Sequence, residues 1–298
     1  MTRPVLAADV GGTQMRAALV GPEGDILLRR SAPTPAQSEV PAAFTNLVAA
    51  MASEDRYGTA SHAVVGLPGG VDYEAGRFLW APNLPSQWPD QLSAAGLSAQ
   101  LGLPVSIAND ADLAAVGEAW FGAGSNSSAV AYLTVSTGIG AGVVNGGRLV
   151  RGSRSLAEVG HFVIDWRAWR DGAPSTVEEL GSGSGVARQA REAGLGSVSS
   201  QEIEAGAAAG EPRALAIWEQ AIAACAAGVS NLVMSFYPST VVIGGGMGRQ
   251  DAFFVPLRAM VMERPGHHPA DLTIVRSTLG DDAGLSGAAG WARATEPG

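Results

Sequence analysis

The sequence predicts a two-lobed α/β protein built on one supersecondary unit used twice. A strand–turn–strand–turn–strand meander opens near Val5, and the same pattern returns near Val130. Around the two meanders, short β-branched runs alternate with stretches whose apolar residues recur at helical spacing, which is the mark of mixed α/β architecture. At 298 residues, with 46% hydrophobic and 16% charged positions, the chain can bury a sizeable core and is not of disordered composition.

Composition also narrows the partners. A net charge of −9 without clustered Lys and Arg argues against a phosphate-backbone partner, so small molecules are expected and nucleic acid is not. Cys225 is the one cysteine, which rules out an intramolecular disulfide and any cysteine-based zinc site, and suits a cytoplasmic protein. The first residues lead into a strand without the apolar core of a signal peptide. The longest apolar stretch, 221–237, is broken by Ser230 and Asn231 and followed by Pro238; it is expected as a buried helix rather than a membrane span.

In order, 5–9 reads as a strand ending in Gly11-Gly12-Thr13, 15–20 as its return, and 26–30 as a third strand after a Gly/Pro/Asp turn. A helix is expected over 41–51 from the spacing of Phe44, Leu47, Val48 and Met51, with Pro41 in its first turn. A short buried strand follows at 63–67, ahead of Pro68-Gly69-Gly70-Val71-Asp72, and 73–89 reads as a long loop. A helix over 91–101 leads to the strand at Val105, which stops at Asn109-Asp110, where another helix starts and runs to Phe121. The second meander then comprises 130–135, the turn 136–140, 141–145 and 148–151. Beyond it, 156–165 is mixed, Ser175 or Thr176 with Glu178 and Glu179 reads as a capping box, 212–236 is helical, 240–243 is a strand into Gly244-Gly245-Gly246, and 284–294 forms a last helix.

Five constellations could carry chemistry. In Asp9-Val10-Gly11-Gly12-Thr13, glycines let backbone N–H groups close on phosphate oxygens while Asp9 holds a hydrated Mg²⁺; the same residues could equally make a plain hairpin turn. Thr137-Gly138-Ile139-Gly140-Ala141-Gly142 occupies the matching turn of the second meander, and a pair of such turns would grip a polyphosphate from both sides. Gly244-Gly245-Gly246 at a strand end suits close approach of a flat ring or ribose, or a simple strand-to-helix turn. Asn109-Asp110 offers a carboxylate that can take a proton from an attacking hydroxyl, or a helix cap; the two roles are compatible, and Asp110 is expected to fill both. Glu158-Val159-Gly160-His161, with Glu178 at a distance, gives donors and acceptors suited to sugar hydroxyls but a poor ligand set for a metal.

Taken together, these residues resemble the ROK family of sugar kinases and regulators, most closely its glucokinases, over most of the chain from Asp9 to about Gly246. Asp9-x-Gly-Gly-Thr with Arg16, Thr137-Gly-Ile-Gly-Ala-Gly and Gly244-Gly-Gly look like the family's two phosphate motifs and its adenosine motif. Leu67-Pro-Gly-Gly-Val-Asp is similar to the stretch near the sugar, Asn109-Asp110 matches the pair bearing the catalytic base, and Glu158-x-Gly-His161 matches the sugar-binding motif. Glu178, with Glu179 as its rival, falls where a further sugar-binding Glu precedes a Ser-Gly.

The resemblance implies an actin-like ATPase (ribonuclease H-like) duplicated fold, with two lobes and a central cleft. Residues 1–108 would form the smaller lobe, completed by the C-terminal helix 284–298, and 109–283 the larger. It implies ATP and Mg²⁺ as cofactors, a cytoplasmic homodimer, and phosphorylation of a hexose, first of all glucose at its 6-hydroxyl. Asp110 would be the base; Gly69, Gly70, Asn83, Asn109, Glu158, His161 and Glu178 would hold the sugar. Asp9, Gly11, Gly12, Thr13, Thr137, Gly138, Gly140 and Gly244 to Gly246 would hold the nucleotide, with Mg²⁺ on Asp9 through water. N-acetylmannosamine, N-acetylglucosamine, fructose and allose remain alternative acceptors, and polyphosphate an alternative donor. A sugar-responsive repressor would need a DNA-binding helix-turn-helix ahead of the first strand, and a catalytically dead sugar binder would bind without releasing ADP.

Two departures stand out. The family commonly carries a Cys-x-Cys-Gly-x-x-Gly-Cys zinc segment after the His, whereas 162–177 holds no cysteine. That loop is expected to be held by packing around Trp166 and Trp169 instead. Asp112 stands where Asn is frequent.

Overall fold

The computed structural model describes residues 3–54, 60–81, 90–264, 266 and 268–295; Asn83 lies outside them. By contacts the chain divides into two units, one of Met1–Ser128, Gly142–Leu156 and Asp281–Gly298, the other of Ala129–Ala141 and Ala157–Gly280. Helix 110–121 thus belongs with the first unit, whereas the sequence division opens the second lobe at 109.

The first unit is organised on β1 (Val5–Val10), every residue of which is buried. A strand covered on both faces must be apolar throughout, and Val5-Leu6-Ala7-Ala8 meets that demand up to Asp9. It pairs antiparallel with β2 (Gln14–Val20), which pairs with β3 (Ile26–Pro33), an edge strand carrying exposed Arg29 and Arg30. On the other side, β4 (Ala63–Leu67) and then β7 (Val105–Asn109) add in parallel, giving the order β3-β2-β1-β4-β7. Helix α1 (Val40–Ala52) buries Val40, Phe44, Val48 and Met51, the i, i+4, i+8, i+11 stripe that its spacing predicts.

Helix α3 (Asp110–Phe121) packs against α10 (Ala283–Thr295) at a distance set by glycine. A Cβ on Gly287 would sit 1.9 Å from the Leu113 carbonyl oxygen, and one on Gly117 would sit 2.2 Å from that of Ala283. The two backbones therefore meet where no side chain intervenes.

The second sheet repeats the first. Strands β8 (Ala129–Val135), β9 (Ile139–Asn145), β10 (Arg148–Leu149), β11 (Thr240–Gly244) and β12 (Thr273–Arg276) stand in the order β10-β9-β8-β11-β12, again a meander extended by two parallel strands. The duplication expected from the two meanders is thus a duplication of whole-sheet topology. In the second unit, α8 (Pro212–Phe236) is long and apolar enough to pass for a membrane span, but most of its apolar face is buried, from Ala214 to Val233.

The structure adds elements to those read from the sequence and sets the bounds of the helices expected over 91–101 and after the capping box at 175–176. Between β4 and β7, β5 (Gly70–Asp72) pairs antiparallel with β6 (Arg77–Trp80), so part of the expected loop 73–89 is a hairpin; α2 (Ala94–Leu101) then follows a short 3₁₀ turn at Asp90–Leu92. The second unit contains α4 (Trp166–Arg170), α5 (Val177–Gly181), α6 (Gly183–Glu192), α7 (Ser200–Ala208) and α9 (Asp251–Met262).

Candidate active site

In the first unit the parallel strands β1, β4 and β7 run in one direction, so their carboxyl ends share one edge of the sheet. The register Asp9↔Gly66 and Leu67↔Asn109 brings the Asp9–Thr13 turn, the Pro68–Gly70 turn and Asn109–Asp110 to that edge. Open α/β sheets bind ligands at this end of their strands.

Asp9 is 7% exposed and takes a two-pronged grip from Arg16 on the partner strand, Nε to Oδ1 at 3.0 Å and Nη2 to Oδ2 at 2.6 Å. Burial pushes the Asp9 carboxyl up from its ordinary pKa, and the guanidinium opposes that. The following turn is tied by Gly11 N–H to Gln14 O at 2.9 Å and by Thr34 Oγ1 to Gly11 O at 2.7 Å, while Gly12 and Thr13 stay exposed.

Asn109, not Asp110, is the cap of α3. Its Oδ1 accepts from the N–H groups of Ala111 (2.9 Å) and Asp112 (3.1 Å), and its Nδ2 donates to Gly69 O (2.9 Å). The expectation that Asp110 caps the helix is therefore corrected. Asn109 precedes the first helical residue with extended φ and ψ, the geometry in which a side-chain oxygen reaches back over the first turn. Asp110 is the exposed first residue of the helix, its Oδ1 2.8 Å from Ala111 N. Gly69 has φ +78, and a Cβ there would fall 2.3 Å from Trp80 O, so β6 crosses close over this turn.

Nothing local announced a second feature of this edge. The Tyr73 hydroxyl donates to the buried carboxylate of Asp112 and accepts from the Asn109 N–H at 3.4 Å. Burial, and then the Asp112 charge, push the Tyr73 pKa well up, so the phenol stays a donor. The signal available in sequence was the odd carboxylate at 112, but its partner lies 39 residues away.

In the second unit the glycine turns again sit at the carboxyl ends of parallel strands, with Gly244 of β11 in register with Thr134 of β8. Gly245 has φ +82 and passes so near Val135 that a Cβ would lie 2.2 Å from its carbonyl oxygen; Gly246 is exposed. Thr137 is exposed beside Gly138, and a carboxylate from α5 reaches this turn: Glu178 Oε2 accepts from Ile139 N at 2.7 Å. A Cβ on Gly138 would fall 2.8 Å from that same oxygen.

Glu158 and His161 flank a 3₁₀ turn (Val159–His161), and Gly160 packs under Ile139 O beside Glu178. Surrounding protein raises the Glu158 pKa above the usual carboxylate range, with the His161 ring opposing and the Glu178 charge adding. The structure thus groups Glu158, His161 and Glu178 with the Thr137–Gly140 turn. Glu179 is otherwise engaged: it closes the capping box of α5, accepting from Ser175 N (2.9 Å) and Thr176 N (3.0 Å). These bonds hold its carboxyl below the usual range.

The cysteine-free loop is held differently from what was expected. Trp166 and Trp169 are 58% and 65% exposed, so their burial does not hold it. Backbone bonds do: Ile164 N to Ser175 O (2.8 Å), Val177 N to Phe162 O (3.0 Å), and an antiparallel bridge Val163↔Thr176. Asp165 caps α4 from inside, and the Arg167 guanidinium lies 4.5 Å over the Trp166 ring. A ladder and a helix cap close the segment.

Residues 5–295 match the model of the ROK family. The chain belongs to that family. A bifunctional enzyme NanE/NanK of Brucella melitensis is 39% identical over 295 residues, covering 96% of this chain and 53% of that protein; the chain spans about half the length of such relatives. An N-acetylmannosamine kinase of Shigella boydii is 31% identical over 95% of this chain and 96% of its own length. The crystal structure of a ROK family glucokinase from Streptomyces griseus in complex with glucose and AMPPNP superposes with a TM-score of 0.78 at 28% identity, covering 97% of this chain and 99% of that one. The fold is the actin-like ATPase fold of ROK sugar kinases, as the motifs implied, and the named relatives are kinases.

Proposed function

We propose that this ROK protein is an ATP-dependent hexose kinase acting on the sugar 6-hydroxyl, with Asp110 as its base. The observation that carries the reading is the division of labour at the end of β7. Asn109 caps α3, and Asp110 stands as an exposed carboxylate on the first residue of the helix, its Oδ1 accepting from Ala111 N at 2.8 Å. In the reaction the hydroxyl oxygen bonds to the terminal phosphorus, the bond from that phosphorus to the bridging oxygen breaks to leave ADP, and Asp110 takes the hydroxyl proton.

Glu158, His161 and Glu178 supply acceptors and an imidazole for the ring hydroxyls, with Gly69, Gly70 and Asn83 from the first unit's sequence. Asn109 has one N–H left on Nδ2 after bonding Gly69, so its contribution to a sugar is a single donated bond. Gly11, Gly12, Thr13, Thr137, Gly138 and Gly140 are assigned to the phosphates and Gly244 to Gly246 to the adenosine. Asp9 fits Mg²⁺ through its water shell: both carboxylate oxygens already accept from Arg16, yet each keeps a lone pair for a coordinated water. When bound, the ion neutralises phosphate charge.

On identity we place N-acetylmannosamine beside and just ahead of the glucose that the motifs suggested, because an N-acetylmannosamine kinase relative matches at 31% and a glucokinase of Streptomyces coelicolor at 30%. Assembly as a homodimer belongs to the same reading and is checked by light scattering. The deciding assay is ADP release over a panel of hexoses and N-acetylhexosamines, with ATP and polyphosphate compared as donors. The reading predicts ATP-dependent turnover with N-acetylmannosamine, with glucose second. Sugar binding without turnover on any member of the panel would make the chain a binding protein instead.

A further inference from the structure

The first unit contains a cavity of about 460 Å³ that none of the assigned site residues lines. Arg148 and Leu149 of β10, Arg151, Val116 of α3, and Trp291 of α10 line it, with Glu74 on the same wall. Among the described residues neither Arg148 nor Arg151 is ion-paired with a carboxylate. Arg151 is held nonetheless, its guanidinium 4.9 Å from the Tyr73 ring centre and 5.7 Å from that of Trp291. Stacking fixes the plane of a guanidinium, and although Arg151 Nη1 donates to Gly152 O at 3.3 Å, a guanidinium has five N–H donors, so others remain for an acceptor. Two guanidiniums suit a phosphate, Val116, Leu149 and Trp291 suit the apolar face of a ring, and the Glu74 carboxylate suits a hydroxyl donor. The volume lies in the range of small-metabolite pockets.

We infer that this cavity is a binding site for a small phosphorylated sugar, separate from the catalytic residues. The arrangement also provides a route to the reaction. Tyr73, stacked under Arg151 and tilted against Trp291 at 5.5 Å, bonds both Asp112 and the Asn109 backbone. Ordering Arg151 on a phosphate therefore acts on the residue that fixes the first turn of α3, next to Asp110. The ligand class rests on the sugar-kinase reading, but binding is measured without turnover, so a failed kinase assay and a failed titration are distinguishable.

The test is calorimetric titration of the full chain with N-acetylmannosamine 6-phosphate, glucose 6-phosphate, unphosphorylated sugar and inorganic phosphate. Wild type, Arg148→Gln, Arg148→Gln/Arg151→Gln and Glu158→Ala are compared. Expected is a sugar-phosphate binding event that weakens at least about 10-fold in Arg148→Gln, the loss of one charge-assisted contact. It should vanish in the double variant and persist in Glu158→Ala. Arg148→Gln is decisive by itself, because among the described residues no hydrogen bond or ion pair of that exposed side chain supports the fold. Wild-type affinity in Arg148→Gln, loss of all binding in Glu158→Ala, inorganic phosphate binding as tightly as the sugar phosphates, or no wild-type binding at about 10 mM ligand, each overturns the inference.

Discussion

The two glycine turns, after β1 and after β8, occupy the same place in two sheets of the same strand order, yet they are held in different ways. The first is held by its own meander: Asp9 and Arg16 face each other across β1 and β2, and Thr34, just past the end of β3, locks Gly11. The second has Thr134 where the first has Asp9, and it is held from outside by Glu178, which arrives on α5. The first turn is closed by its own pair of charges, with Arg16 Nη1 also donating to Asp281 O, just ahead of α10. A turn closed by a residue of the proposed sugar-binding group would have its shape coupled to whatever that group holds. Duplication preserved the backbone frame and let the fastening of each turn diverge.

Removing the internal fastening should have the largest effect. Arg16→Met leaves a buried carboxylate without its partner and is expected to cost about 3 kcal/mol of stability in urea unfolding. A loss well under 1 kcal/mol would show that the first turn does not depend on the pair. Gly287→Ala tests the close helix contact of the same unit: a Cβ placed 1.9 Å from Leu113 O forces α10 off α3, for an expected loss of about 2 kcal/mol in the same unfolding experiment.

The outside fastening predicts a different signature. Glu178→Gln replaces a charged acceptor by a neutral one at Ile139 N, at a cost of about 1 kcal/mol, and should raise the KM for both sugar and ATP. A change in the sugar KM alone would separate Glu178 from the turn and contradict the coupling.

Acid should act on the same group. In the proposed site Glu158 accepts more strongly from a sugar hydroxyl when ionised, and its pKa is raised, so sugar affinity should begin to fall at a pH above the ordinary carboxylate value as the solution is acidified. Glu158→Gln should abolish that acid limb, and an unchanged limb would assign it elsewhere.

The smallest effect is expected at Glu179. Its folded pKa is depressed, so its stabilisation is complete above the unfolded value of 4.5 and is lost as pH falls through the lower folded value. The unfolding free energies of wild type and Glu179→Gln should differ slightly near pH 6, by less than about 1 kcal/mol, and converge toward pH 3. A constant gap would contradict the linkage.

The same contrast governs what was legible in the sequence. Elements with strong periodicity or turn chemistry were readable: both meanders, the stripe Phe44, Val48, Met51, and the long helix α8. So was the Thr176 cap of α5. Elements whose stability comes from elsewhere were not. α7 buries only Ile203, α6 begins in Gly-Ser-Gly, α9 carries Pro256 in its interior, and β6 alternates no apolar face because three of its four residues are exposed.

At the site, side chains that act within a few residues could be proposed from type and spacing, as with Asp9 and Arg16. The Asn109 cap was misassigned to its neighbour because both residues are good caps, and only backbone geometry decides which one stands outside the helix. The bonds of Tyr73 to Asp112 and of Glu178 to Ile139 each span 39 residues, and no local pattern encodes them.

The central claim is that Asp110, exposed on the first residue of α3 while Asn109 caps that helix, acts as the base. Asp110→Asn tests this most directly, with sugar affinity measured by titration and turnover by ADP release on the best sugar of the panel. The account predicts unchanged sugar affinity, an unchanged thermal midpoint because Asn109 still caps α3, and turnover reduced at least about 100-fold. Turnover within a few-fold of wild type would remove Asp110 from the mechanism.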